Sequence, residues 1–132
     1  ARSVLIKTRS ALVEGCTFIG SAIQAIHVAA EGWWHEGVAC TDVTIRNNRF
    51  VDCGITGHSA VGGIKVEMSV DHPSGTPQKR IVIENNRFDL PQVAHAVHVS
   101  HAEDVLLRGN TYLRCDDPVE IVDCVHVCRE DG

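Results

Sequence analysis

No apolar run reaches the ~18 residues that a membrane-spanning helix needs, so no membrane partner is expected. No basic cluster is present either, and 12 Lys and Arg against 17 Asp and Glu leave a net charge of −5. Nucleic acid is therefore not an expected partner. The six cysteines contain no CxxC pair, which removes the usual zinc signature. No long helix can be drawn, because Asn47-Asn48, Gly62-Gly63 and Asn85-Asn86 interrupt every candidate. No secretory leader is recognisable, as in a cytosolic chain, a processed one or a piece of a longer one. With 44% hydrophobic residues, the 132-residue chain still has enough apolar material for a core, and one domain, 1–132, is expected.

What the chain does have is repetition. Ile45-Arg46-Asn47-Asn48-Arg49-Phe50 and Ile83-Glu84-Asn85-Asn86-Arg87-Phe88 are nearly the same six residues, and Val13-Glu14-Gly15-Cys16-Thr17-Phe18 and Leu107-Arg108-Gly109-Asn110-Thr111-Tyr112 are weaker copies. The steps from Cys16 to Asn48, Asn86 and Asn110 are 32, 38 and 24 residues. Such periods mark units that bury their apolar faces against one another. Stacked by column, the copies give Ala11, Val43, Ile81, Val105 and then Val13, Ile45, Ile83, Leu107, the period-two signal of a strand. The next column, Glu14, Arg46, Glu84, Arg108, alternates in sign at every step, so each charge would face its opposite about 4.8 Å away. Cys16, Asn48, Asn86 and Asn110 then form a turn column, an asparagine ladder, and Phe18, Phe50, Phe88 and Tyr112 stack in the corner.

A second strand follows each copy: Ala25–Ala29, Gly63–Glu67, Ala96–Ser100 and Pro118–Val122, with Ser3–Lys7 as the same strand of an earlier coil. Each unit reads as strand, Asn turn, loop, strand, loop. The expected fold is all-β: a parallel β-helix, a solenoid of four to five coils. Loops of unequal length and the lack of a six-residue repeat favour the right-handed form. Because the chain enters a repeat at once, it has the marks of a fragment of a longer solenoid, or of one whose end a partner closes. An uncapped end offers unpaired backbone, so a homo-oligomer formed through that end is expected.

The stack also bears on the cysteines. Cys53 and Cys115 share a column two rungs apart, roughly 9.6 Å, beyond the ~7 Å that a disulfide spans between Cα atoms. Reduced, structural cysteines are the expectation.

The run Glu31-Gly32-Trp33-Trp34-His35-Glu36-Gly37, then Asp42 through Phe50 to Cys53, and later Lys79 through Phe88, resembles right-handed β-helix proteins of the pectate-lyase-like superfamily. It is most similar to the β-helix of bacterial family 110 α-galactosidases, over roughly residues 3 to 115. The resemblance implies a carbohydrate-processing, glycoside-hydrolase-like function, a glycan or oligosaccharide as partner, and a bacterial secreted or periplasmic setting. It also implies that substrate lies on the outside of the second strand. Those enzymes are several times longer, and their catalytic aspartates do not map onto this chain.

The outward columns of the second strand are His27, Lys65, His98, Glu120 and Ala29, Glu67, Ser100, Val122. Glycoside hydrolysis uses two carboxyls, about 5–5.5 Å apart for retention and about 6.5–9.5 Å for inversion. Glu67 and Glu120 stand roughly 12 Å apart by strand spacings, too far, whereas Glu31 and Glu67 would be roughly 8 Å apart if Glu31 continues its strand. Glu31 and Glu67 are thus the candidate catalytic pair, against the plain alternative of solvated charges on an outer face. His27, Lys65 and His98 are candidate substrate-binding residues. Trp33 or Trp34 could offer a platform for a sugar ring, with Glu36 and His35 beside it; the alternative is that both indoles cover a loop. Of the eight histidines, His95, His98 and His101 are three apart. On a strand His98 would point away from the other two, so the trio should not converge, and no metal site or cofactor is expected. Asp116-Asp117 before Pro118 reads as a turn, and Asp71 through Pro77 as an inter-coil loop. Two function classes remain: a carbohydrate-active enzyme or part of one, and a non-catalytic β-helix that binds glycan, scaffolds or self-associates.

Overall fold

The computed structural model describes residues 4–6, 10–21, 24–31, 41–54, 61–69, 78–91, 93–115 and 117–130, and only the backbone of 30, 31, 68 and 69. The stretch holding Trp33, Trp34, His35, Glu36 and Cys40, the loop 71–77 and Asp116 lie outside the described residues.

Along the chain the strands are β1 (Val4–Ile6), β2 (Ala11–Glu14), β3 (Thr17–Ile19), β4 (Ile26–Glu31), β5 (Thr41–Arg46), β6 (Arg49–Val51) and β7 (Val61–Ser69). They continue with β8 (Gln78–Glu84), β9 (Arg87–Asp89), β10 (His95–Ser100), β11 (Ala102–Arg108), β12 (Thr111–Leu113), β13 (Val119–Val122) and β14 (Val125–Glu130). No helix occurs among the described residues. The first sheet has the order β1-β4-β7-β10-β13, the second β2-β5-β8-β11-β14 and the third β3-β6-β9-β12. All strand pairs are parallel. The chain visits the three sheets in turn and returns one strand further along, which makes a parallel β-helix of five coils.

The registers match the sequence columns. Val13 pairs with Ile45, Ile45 with Ile83 and Ile83 with Leu107, and the last three are fully buried. In the first sheet Ile26 pairs with Ile64 and Val97 with Ile64, again all buried. One expectation changes: each of the first four coils has three strands, not two. The corner aromatics sit on the third sheet, whose strands are three residues long and therefore too short to show alternation in the sequence.

Two interactions hold the coils in register between the second and third sheets. Asn48 Nδ2 donates to the Val13 carbonyl at 3.0 Å, Asn86 Nδ2 to Ile45 at 3.0 Å and Asn110 Nδ2 to Ile83 at 2.9 Å. Each Oδ1 accepts the backbone N–H of the same column one coil earlier: Cys16 N–H donates to Asn48, Asn48 N–H to Asn86, and Asn86 N–H to Asn110. The residue before each asparagine or Cys16 is left-handed (Gly15, Asn47, Asn85, Gly109), which aims the side chain along the stack. Directly after the turn, Phe18, Phe50, Phe88 and Tyr112 stack with ring centroids 5.1, 4.6 and 5.4 Å apart.

On the outside, Arg46 binds Glu14 at 2.8 Å and Arg108 binds Glu84 at 2.7 Å, so the expected alternation forms ion pairs. Cys16, Cys53, Cys115, Cys124 and Cys128 are free thiols.

Phe50 is fully buried between two rings. Phe50→Ala should lower the unfolding free energy by about 3–5 kcal/mol, readily seen in urea or thermal denaturation. A melting temperature within a degree or two of the wild type would contradict the stack.

Candidate functional site

The outer face of the first sheet carries one polar row across the coils. Leu5 pairs with His27, His27 with Lys65, Lys65 with His98 and His98 with Glu120. Strand alternation puts these side chains outward because their neighbours Ile26, Val28, Ile64, Val66, Val97 and Val99 fill the core. Glu67 lies two residues beyond Lys65 on the same face, opposite Ala29.

The structure brings three of the candidate residues together. His27 Nε2 lies 2.7 Å from Glu67 Oε1, a diagonal contact between neighbouring strands, and Lys65 Nζ lies 3.4 Å from Glu67 Oε2. The His27 side chain is 7% exposed and that of Glu67 24%. The hydrogen bond from His27, reinforced by the Lys65 charge and opposed by burial, holds the Glu67 carboxyl down at about 2. Behind the pair, the fully buried Gln78 donates its Nε2–H to the main-chain carbonyls of Val28 and Glu67 and so ties β4 to β7. The Oε1 of Gln78 has no partner among the described residues.

A second cluster, which the sequence reading missed, lies two coils further on. His98 Nδ1 is 2.5 Å from Glu120 Oε1, and His95 Nε2 is 3.1 Å from Glu120 Oε2. His95 Nδ1 faces the Asp117 carbonyl at 2.8 Å. The hydrogen bond from His98 is the main cause of a lowered Glu120 pKa. The expectation that the histidines point apart is corrected here for His95 and His98. The register shifts between His95 and Val97, where Gly62 and Gly63 stand opposite Ala96 alone. This bulge breaks strict alternation and lets both imidazoles reach one carboxylate. A Cβ on Gly63 would sit 2.4 Å from the Ala96 carbonyl and 2.7 Å from the Phe88 ring, so glycine is required there. His101 takes another direction, 3.9 Å from Asp123.

Glu31 ends β4 and its backbone pairs with Ser69, two residues past the Ala29–Glu67 pair. One strand and two residues separate the Glu31 and Glu67 positions, about 8 Å by standard spacings. Trp33, Trp34 and Glu36, the remaining site candidates, lie outside the described residues. No group of three metal-ligating side chains occurs among the described residues.

Chemically, a carboxylate with a pKa of about 2 is ionised at any ordinary pH. It can accept a proton or a hydroxyl hydrogen bond, or stabilise positive charge, but it is not a proton donor near neutrality. Lys65 and the histidines add donors for ligand oxygens.

Because the folded pKa of Glu67 lies below its ordinary 4.5, its stabilisation is complete above pH 4.5 and is lost as pH falls towards 2. Glu67→Gln should therefore be less stable than the wild type by about 3 kcal/mol near neutrality, the gap closing across that window. Urea denaturation at a series of pH values checks this. A gap independent of pH would mean that the carboxylate charge has no part in it.

No family model matches the chain. Among curated proteins it is 34% identical over 116 residues to alpha-1,3-galactosidase A of Akkermansia muciniphila, covering 86% of this chain and 18% of that protein. It is 31% identical over 118 residues to alpha-1,3-galactosidase A of Bacteroides thetaiotaomicron, with 87% and 20% covered. The protein of the same name from Bacteroides fragilis is 30% identical over 124 residues, with 87% and 20% covered. The chain spans about a fifth of the length of these relatives. Over most of its length it is thus related to a region of proteins named as galactosidases, and its parallel sheets are consistent with a β-helix.

Proposed function

We propose that this β-helix is part of an α-galactoside-processing unit of the glycoside hydrolase kind, with glycan lying across the outer face of the first sheet. The observation that carries the reading is Glu67, held ionised by His27 and Lys65 on that face. The similarity to galactosidase-named proteins supplies the substrate class. In this scheme Glu67, ionised throughout the working pH range but weakly basic, is the carboxylate that orients water and accepts its proton. Glu31 is the acid that protonates the leaving oxygen. A separation of about 8 Å suits inversion, for which about 6.5–9.5 Å is needed. Lys65, His27 and His98 orient sugar hydroxyls, and Trp33, Trp34 and Glu36 flank the ring.

A non-catalytic module that binds glycan, or pairs with a second copy through the outer face of its first coil, is the second reading. It is favoured by Leu5, Leu12 and Ile19, which are 41%, 56% and 72% exposed on the first coil.

Turnover of an aryl α-galactoside by the chain, with calorimetric binding of galactosides, tests both. The first reading expects measurable hydrolysis with net inversion. It also expects Glu67→Gln and Glu31→Gln to lower kcat by roughly 10²–10⁴ in folded protein that still binds. Activity retained in Glu67→Gln removes Glu67 from the mechanism. Binding without turnover, or a dimeric mass by light scattering, supports the second reading, and neither binding nor self-association defeats both.

A further inference from the structure

Two exposed columns of the second sheet set acidic side chains against basic ones. Glu14, Arg46, Glu84, Arg108 and Glu130 succeed one another across five strands, and so do Asp42, Arg80, Asp104 and His126. Arg80 binds both oxygens of Asp42 at 2.5 and 3.0 Å, and His126 lies 3.4 Å from Asp104. On the third sheet the rule fails. There the column runs Thr17, Arg49, Arg87, Thr111, with two guanidinium groups on adjacent strands.

Like charges directly opposite one another destabilise a sheet, and here they are offset only at a distance, by Asp89, whose carboxyl both arginines help to hold below its ordinary range. Among the described residues neither Arg49 nor Arg87 has an ion-pair partner. The nearest carboxylate on that face, Asp89, is taken by Arg114 at 2.6 Å. Asp52 also faces Arg114, at 4.0 Å. The pair is held rigidly from behind. Phe50 and Phe88, next in sequence, are fully buried and stacked at 4.6 Å. The backbone N–H groups of Arg49 and Arg87 each donate to the preceding coil at 2.9 Å, to the carbonyls of Cys16 and Asn48. The two side chains therefore leave an immobile surface about 4.8 Å apart, with a threonine hydroxyl on either side.

We propose that Arg49 and Arg87 form an anion site for a tetrahedral oxyanion, a sulfate or phosphate ester carried on a sugar. A planar carboxylate is satisfied by one guanidinium fork, whereas a tetrahedral group with three free oxygens can bridge two forks set side by side. Bound, it relieves the repulsion that the empty column carries. Thr17 and Thr111 stand where neighbouring sugar hydroxyls would lie. The site is on the third sheet, away from Glu67; the oxyanion follows from the arginine pair, and its sugar carrier rests on the galactoside reading proposed above.

Calorimetric titration of the chain at low salt tests this with four probes: sulfated galactose, its phosphorylated counterpart, inorganic sulfate and galactose. Saturable binding of one ester, tighter than inorganic sulfate and with galactose silent, is expected, and which ester is tighter identifies the carrier group. Arg49→Gln/Arg87→Gln should weaken that binding roughly tenfold or more, and so should the double lysine variant, which lacks the forks. Arg80→Gln, taken from an alternating column, should bind as the wild type does. The glutamine double variant should melt no lower than the wild type, since it relieves a like-charge contact, so its loss of binding cannot be put down to unfolding. Equal affinity in the glutamine double variant, inorganic sulfate bound as tightly as the esters, or no saturable binding by the wild type overturns the proposal.

Discussion

Everything in this molecule depends on keeping one coil in register with the next, and the buried asparagine column is the most directional of the contacts that do so. Each side chain bonds the coil before it through both its amide and its oxygen, and the amides of Asn48 and Asn86 also donate to the asparagine of the next coil, so the column links the stack in both directions. Their strength lies less in each bond than in the consequence of a slip. A shift by one residue would leave amides and carbonyls unpaired in an apolar interior, about 1–3 kcal/mol for each group, and would turn each apolar column outward. At Cys16 the column changes character. Its N–H is still received by Asn48, but its thiol turns back to the Glu14 carbonyl of its own coil at 3.4 Å.

That register also decides which charges meet. The surface pairs Arg46–Glu14, Arg80–Asp42 and Arg114–Asp89 are solvent-exposed, and such pairs contribute little to stability individually. Their sign alternation works against misregister instead, since a slip by one coil would bring like charges together. Glu67 is different in kind. Three-quarters withdrawn from solvent and gripped by His27 and Lys65, it is a charge that the fold has arranged to keep. Arg49 and Arg87 are the opposite case, an exposed like-charge pair that Asp89 offsets only at a distance while it binds Arg114.

The columns were legible in the sequence because the repeats share chemistry as well as spacing: Ile45 with Ile83, Asn48 with Asn86, Phe50 with Phe88. The outward positions of His27, Lys65 and Glu67 followed from the same alternation. Their mutual contact did not, because a diagonal approach depends on side-chain length and direction as well as on column. The third sheet was hidden by its three-residue strands. Convergence of His95 and His98 on Glu120 was hidden by the bulge at Gly62-Gly63, a pair of glycines that reads from sequence only as a helix breaker. The place of Glu31 hung on whether its strand ran past Ala29, and the strand does continue to Glu31, whose backbone pairs with Ser69.

Native-state hydrogen exchange tests the central claim most directly. The amide protons of Asn48 and Asn86 donate to side-chain oxygens in the column of the next coil, and both residues are almost wholly buried. If the coils are locked in register there, these two amides exchange only on global unfolding, at the same free energy as the core amides of Ile45 and Ile83. Exchange of Asn48 and Asn86 at the rate of exposed turn amides, while Ile45 and Ile83 remain protected, would show that the asparagine column does not hold the stack.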